Sequence, residues 1–305
     1  ALVSLPIGFV RGFVVAHDWG LSTQSFGAWI ADQVRSLGVG LVIAGITAIV
    51  FYGLVRWQPR WWWIFGWAAF SLLSVLLTFL WPILIAPLFN KFTPLEDPVL
   101  TRQILALADQ AGVSVKEVLV ADASKRTTAE NAYVAGIGSS KQLVLYDTLL
   151  VNGDTDETLF VVAHELGHKV KNHVVKGLIV SSAGLLIGFA LLAWLSHRPW
   201  FWSWARADGI ADVRALPLLI AFVTVAGLLT LPIQNGLSRR FEREADAIAL
   251  RLTHDPSTAV RVFRRLAYSN IADLRPNPVA TWLLFSHPPI PERIAAAVAE
   301  SRSAP

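Results

Sequence analysis

Residues 161–168 read Val-Val-Ala-His164-Glu165-Leu-Gly-His168. On a helix of 3.6 residues per turn the two imidazoles stand one above the other on one face, so both can reach a single divalent ion, with Glu165 beside them to move a proton. Zn²⁺ suits such nitrogen donors, at about 2.0 to 2.1 Å, and the chemistry is hydrolysis with a carboxylate as general base. Two surface histidines four residues apart would give the same string, so a third ligand is needed. A His six residues beyond His168 would supply one, but that position is Val174. His173, at five, points roughly 140° around the helix and reads as a solvated surface residue. Downstream, Arg239-Arg240-Phe241-Glu242-Arg243-Glu244-Ala245-Asp246 offers Glu242 as a metal ligand, with Asp246 one turn later to orient a ligating His from behind. Glu244, about 200° from Glu242, reads as a surface acid paired with nearby arginines.

The elements that must position these residues are membranous. The chain has 305 residues, 54% hydrophobic and 16% charged, with mean hydropathy +0.51. Soluble domains carry about 25% charged residues, so another solvent is indicated. Four stretches reach the roughly 20 apolar residues a bilayer requires: Leu37–Val55, Trp61–Phe89, Val174–Ser196 and Ala215–Leu237, none containing Asp, Glu or Arg. The alternative, buried helices in a large soluble core, fits so many uncharged runs poorly. Tryptophans at 61–63, 67, 194, 200, 202 and 204 cluster near the run ends as interfacial anchors. The opening stretch Ala1–Val15 reads as the tail of a span whose start lies outside the sequence. The net charge of +4 is scattered, which excludes a nucleic-acid reader. Without cysteine there is no disulfide, thiol nucleophile or Cys-ligated metal, so His, Asp or Glu must hold any ion.

The polar insert between the second and third runs opens with an amphipathic helix from Asp97-Pro98, apolar at Leu100, Ile104, Leu105 and Leu107 and ending near Gly112. Val115–Val120 reads as a strand, and Tyr133–Ile137 and Gln142–Tyr146 as two more, joined through 138–141 in a hairpin. A last helix starts near Asp154–Glu157, acids suited to a helix N-terminus, and runs through His173. Two spans separate His168 from Glu242 and carry the chain across and back, so both motifs land on one side. Lys91, Lys169, Lys171, Lys176, Arg239, Arg240 and Arg243 on that side, against Arg56, Arg60, Arg198, Arg206 and Arg214 opposite, place it in the cytoplasm.

Beyond the His-Glu-x-x-His, the chain carries Ile85-Ala-Pro-Leu-Phe-Asn-Lys-Phe-Thr-Pro-Leu95, Ser124-Lys-Arg, Asn131-Ala-Tyr, Leu143-Val-Leu-Tyr-Asp-Thr-Leu-Leu150, Ser238 to Asp246, and Ser286-His-Pro-Pro-Ile-Pro-Glu-Arg293. Over nearly its whole length it resembles the CAAX prenyl protease type I family, integral-membrane zinc metalloproteases that in eukaryotes trim isoprenylated proteins such as yeast a-factor and prelamin A. The resemblance implies a mainly α, multi-span helical membrane protein with a small α+β zincin-like metalloprotease domain. The expected parts are membrane spans in 1–89, a first catalytic segment in 90–173, two spans in 174–237 and a second catalytic segment in 238–305. It implies His164, His168 and Glu242 as ligands of Zn²⁺, Glu165 as base, Asp246 as support for a ligating His, and His287 and Arg293 completing the site. His287 would donate to the oxyanion and Arg293 would hold Asp246. It further implies that a substrate peptide adds to an edge strand at Asn131, Ala132, Tyr133, Val134 and Ala135.

Family members have seven spans around a large chamber, where this chain holds four and a remnant. The short connection after Leu150 points to a prokaryotic cell membrane, the endoplasmic reticulum being the location of a eukaryotic member. Expected partners are a peptide or protein, isoprenylated or not, and the bilayer. Three other readings compete. An intramembrane site-2 type protease would need a Leu-Asp-Gly ligand turn, which does not occur. A heat-shock-type quality-control protease would share the metal geometry. The third is a non-catalytic metal-binding scaffold with a vestigial site, or a transporter; transport would call for charged or polar residues within the spans, which are nearly free of them apart from Gln234 and Asn235.

Overall fold

The computed structural model describes residues 5–136 and 141–303. Among the described residues, four helices are long and apolar enough to cross a membrane: Phe26–Trp57, Trp62–Leu88, His173–Ser196 and Val213–Thr253. No more than 11% of the apolar window of any of them is buried in protein. Side chains so apolar and so uncovered need hydrocarbon around them, and a soluble-core reading does not survive that exposure.

The helices end where backbone chemistry dictates. The expected run Trp61–Phe89 is α-helical over Trp62–Leu80, then widens to a π-helical stretch at Trp81–Ile85 and tightens to a 3₁₀ turn at Ala86–Leu88. Pro82 and Pro87 remove donors there. The first spanning helix starts at Phe26, ahead of the apolar boundary at Leu37, and carries polar Asp32 and Arg35 on its early turns. The helix expected to run through His173 instead covers Thr155–Val170. Asn172 adopts φ 53°, and a new helix begins at His173. Asn tolerates the left-handed region that ends helices, and the wheel drawn through His173 is broken there.

The chain forms two compact units, one of residues up to 35, 81–173 and from 235 onward, the other of 36–80 and 174–234. In the second, Trp62, Phe189, Phe201 and Trp202 are buried. A Cβ on Gly66 would meet the Phe189 ring at 2.6 Å. Small residues let apolar helices approach so closely in a membrane, and Trp67 adds a hydrogen bond from Nε1 to the Ser182 carbonyl at 3.0 Å. The tryptophans thus divide: Trp61, Trp194, Trp200 and Trp204 are exposed as anchors would be, while Trp62 and Trp202 are core.

The first unit holds a four-stranded sheet in the order β1 (Phe92–Pro94), β2 (Glu117–Ala121), β4 (Gln142–Tyr146), β3 (Ala132–Ala135). β2 runs parallel to β4, with Leu119 opposite Val144, and β3 is antiparallel to β4, with Tyr133 opposite Val144. Ile137 and the connecting residues 138–140 of the expected hairpin lie outside the described residues. Helix Pro98–Gln110 is capped by Asp97, which accepts from Val99 and Leu100, and is stopped by Gly112 at φ 67°. Its Ile104 joins Leu143, Leu145, Val162 and Leu166 in a core between the sheet and Thr155–Val170. A second core, centred on Phe160 and Phe263, packs helices Pro256–Ser269 and Ile290–Ser303.

Candidate metal centre

Helix Thr155–Val170 is fixed at its start by a capping box, in which Asp154 accepts from the Glu157 N–H at 2.8 Å and Glu157 from the Asp154 N–H at 3.2 Å. On its face toward the long helix Leu216–Thr253 stand His164 and His168. A Cβ on Gly167 would lie 3.0 Å from both the Cα and the carbonyl oxygen of Ala245. Only glycine permits that approach, and it brings Glu242 and Asp246 against the two histidines.

The Nε2 atoms of His164 and His168 lie 3.1 Å apart. Glu242 Oε2 is 3.3 Å from the first and Oε1 3.5 Å from the second. Ligands about 2.0 to 2.1 Å from a tetrahedral ion lie about 3.3 Å from one another, so the spacing fits. Glu242 Oε2 is buried and accepts no hydrogen bond from a described residue, an orphaned acceptor aimed at the same point. Burial would lower the His164 pKa, but Asp246 and Glu242 outweigh it and raise it to about 10. Burial and the neighbouring His164 charge push His168 down to about 4. A divalent cation suits the lone pairs of the two facing nitrogens. Burial also pushes the Glu165 carboxyl up to about 7, with the Glu242 charge adding and His164 opposing.

Each histidine is held from behind. His164 Nδ1 is 2.8 Å from Asp246 Oδ1. Arg293 grips that carboxylate through Nε at 2.8 Å and Nη2 at 2.6 Å, its guanidinium lying over the Phe263 ring. His168 Nδ1 is 3.0 Å from His173 Nδ1. His173 is not the solvated residue expected: it is 5% exposed, stacks on Phe241 at 4.2 Å, and its Nε2 lies 3.1 Å from Glu244 Oε2. The helix break at Asn172 turns it back under His168. Glu244 pairs with Arg240 as expected, at 3.0 Å, but also supports His173. The Lys-Asn-His order, with Asn just before a new apolar run, was the available signal.

His287 stands with Nε2 3.5 Å from Glu242 Oε2, its side chain mostly exposed, and Nδ1 2.9 Å from Ser286 Oγ. Asn235 and Arg239, to which the sequence assigned no part in the site, hold its segment by donating to the carbonyls of Leu283 at 2.6 Å and of Thr281 at 2.9 Å. Ala132–Ala135 form edge strand β3, which packs against helix Thr155–Val170 and pairs only with β4 among the described residues. Asn131 is exposed just before it, and burial raises the Tyr133 phenol to about 12, so it stays neutral.

Residues 94–301 match the model of peptidase family M48, and residues 1–91 match that of the CAAX prenyl protease N-terminal region, five membrane helices. The chain is 36% identical to a Bacillus subtilis protein named as an uncharacterized metalloprotease, YhfN, covering 99% of this chain and 71% of that protein. It is 31% identical to CAAX prenyl protease 1 of Saccharomyces cerevisiae, covering 97% and 68%. The crystal structure of S. mikatae Ste24p superposes with a TM-score of 0.89 at 30% identity, over 97% of this chain and 72% of that one.

Proposed function

The chain belongs to peptidase family M48, as an integral-membrane metallopeptidase of the CAAX prenyl protease type, and from that premise we propose that it is a zinc endopeptidase whose site is His164, His168, Glu242 and Glu165. The observation that carries this reading is the convergence of three donor residues, whose facing nitrogens and carboxylate oxygens lie 3.1 to 3.5 Å apart pairwise, from two segments more than 70 residues apart in sequence. When bound, Zn²⁺ supplies Lewis-acid polarisation of the peptide carbonyl and acidifies water.

The protein's own groups do the rest. Glu165 takes a proton from the attacking water and delivers it to the leaving amide nitrogen. His287 Nε2 donates to the oxygen that becomes negative as the carbonyl carbon turns tetrahedral. Asp246, clamped by Arg293, keeps the His164 proton on Nδ1 and its lone pair on Nε2. His173 acts as a positioning residue that does the same for His168. Asn131 and strand β3, Ala132 to Ala135, offer backbone N–H and C=O groups to an extended peptide laid antiparallel along the edge.

The substrate class proposed is a peptide ending in a prenylated CAAX sequence, supported by the relatives' names. The basic residues flanking the spans support a catalytic side facing the cytoplasm. The test is cleavage of a farnesylated CAAX peptide by zinc-loaded protein in detergent beside Glu165→Gln, which should keep its metal and lose about 10² to 10⁴ in rate. Metal bound at full occupancy with no cleavage would sink the CAAX substrate and favour a quality-control protease acting on unfolded membrane proteins.

A further inference from the structure

Two of the segments that carry the family likeness, Ile85–Leu95 and Ser124-Lys125-Arg126, take no part in the mechanism above, yet they meet. With Arg35 they line an open cavity of about 520 Å³ within one compact unit. Arg126 is its frame: Nε and Nη2 donate to Asp32 at 2.5 and 3.3 Å and Nη1 to Asn90 Oδ1 at 2.8 Å. Arg35 reaches Asp32 through Nη1 at 2.7 Å, and Lys125 reaches Asp122 at 2.6 Å. Arg35 and Lys125 keep 49% and 43% of their side chains exposed, and Lys91 is exposed beside them. Four cations, Arg35, Lys91, Lys125 and Arg126, thus face two carboxylates, Asp32 and Asp122, and two positive charges are left over. Asp147, which accepts from Ser124, does not line the cavity.

Sequence order gives this charge its depth. Arg35 is the last charged residue before the apolar run beginning at Leu37, and Asn90 and Lys91 are the first polar residues after the run that closes at Phe89. Both spans therefore hand over to water at this cavity, at the level where phospholipid phosphates lie. Its remaining wall, at Leu88 and Phe89, is apolar and Leu88 is exposed, as contact with glycerol and upper acyl chain requires.

We propose that this cavity is a phosphate site that takes the headgroup of an anionic phospholipid, with Arg35, Lys91 and Lys125 as the contacting cations and Arg126 as their fixed support. Guanidinium and ammonium donors match phosphate oxygens, and a surplus of charge distinguishes an anionic headgroup from a zwitterionic one.

The experiment adds phosphatidylglycerol, phosphatidylcholine or inorganic phosphate to the whole protein in a neutral detergent and reads lipid adducts by native mass spectrometry and the thermal midpoint. Phosphatidylglycerol should bind and raise the midpoint, and phosphatidylcholine and inorganic phosphate should do so far less. Arg35→Gln, Lys91→Gln and Lys125→Gln should each weaken phosphatidylglycerol binding about five-fold, and the triple variant about a hundred-fold, as expected for cations at a membrane surface. Arg102→Gln, at an exposed position of helix Pro98–Gln110 outside the cavity, should leave it unchanged, and retained metal shows that the variants are folded. Equal binding of phosphatidylcholine, or undiminished binding of phosphatidylglycerol by the triple variant, would overturn the proposal. Full stabilisation by inorganic phosphate alone would overturn the lipid as its source.

Discussion

The two histidines of the metal centre share a helix face, yet what stands behind them differs in kind. Behind His164 is a charge: Asp246, from another helix, locked by two nitrogens of Arg293, whose side chain is 9% exposed. Behind His168 is an imidazole: His173, five residues on, backed by Glu244 and the exposed Arg240. The first arm joins three separate segments through a buried ion pair, and the second joins two, with His173 reaching Glu244 on the long helix. Damage to the first should therefore cost the fold more than damage to the second.

Glu242→Ala removes the one acid that faces both arms and should bring the largest effect, loss of stoichiometric metal after gel filtration, read by metal analysis. Asp246→Ala comes next. It should weaken metal binding about 10- to 100-fold as an outer-shell loss, and, by leaving Arg293 buried and unpaired, destabilise the metal-free protein by about 3 to 5 kcal/mol. His173→Ala should cost metal affinity at the lower end of that range, about ten-fold, with a smaller loss of metal-free stability than Asp246→Ala, since what is lost is an uncharged ring packed on Phe241. Metal titration and thermal melts on both variants would break the comparison if His173→Ala proved the more destabilising. In the double variant the two affinity losses should depart from additivity, since both arms act on one ion and meet at Glu242.

The smallest effect sharpens the comparison from outside it. Asp255 caps helix Pro256–Ser269, and hydrogen bonds from Ser257 and Thr258 pull its pKa down from 3.8 to about 2. Its pKa is lowered on folding, so its contribution is complete above about pH 3.8 and fades as pH falls toward 2. Asp255→Ala should cost about 1 kcal/mol near neutral pH. The gap to the parent should close through that window in melts of the metal-free protein, and metal affinity should not move.

Much of this was legible in the residue order. His164, His168 and Glu242 follow from helical period and from the need for a third donor, and Asp246 from lying one turn beyond Glu242. The four spans were legible because a bilayer demands long uncharged runs. Their ends were less so: Pro82 and Pro87 loosen the second helix before its apolar run finishes, and Phe26 starts the first one early. His173 was misplaced because a helical wheel assumes an unbroken helix, and one left-handed Asn voids it. Asn235 and Arg239 were not legible at all, since their partners are backbone carbonyls more than 40 residues away.

Gly167 has a consequence of its own. A single methyl group there would push against the Ala245 backbone, and the half of the site carrying two ligands would be wedged away from the half carrying the third. In a substitution screen scored by activity, Gly167 would rank beside Glu165 although it touches no reacting atom. Within His-Glu-Leu-Gly-His, then, some letters spell a reagent and this one sets a gauge.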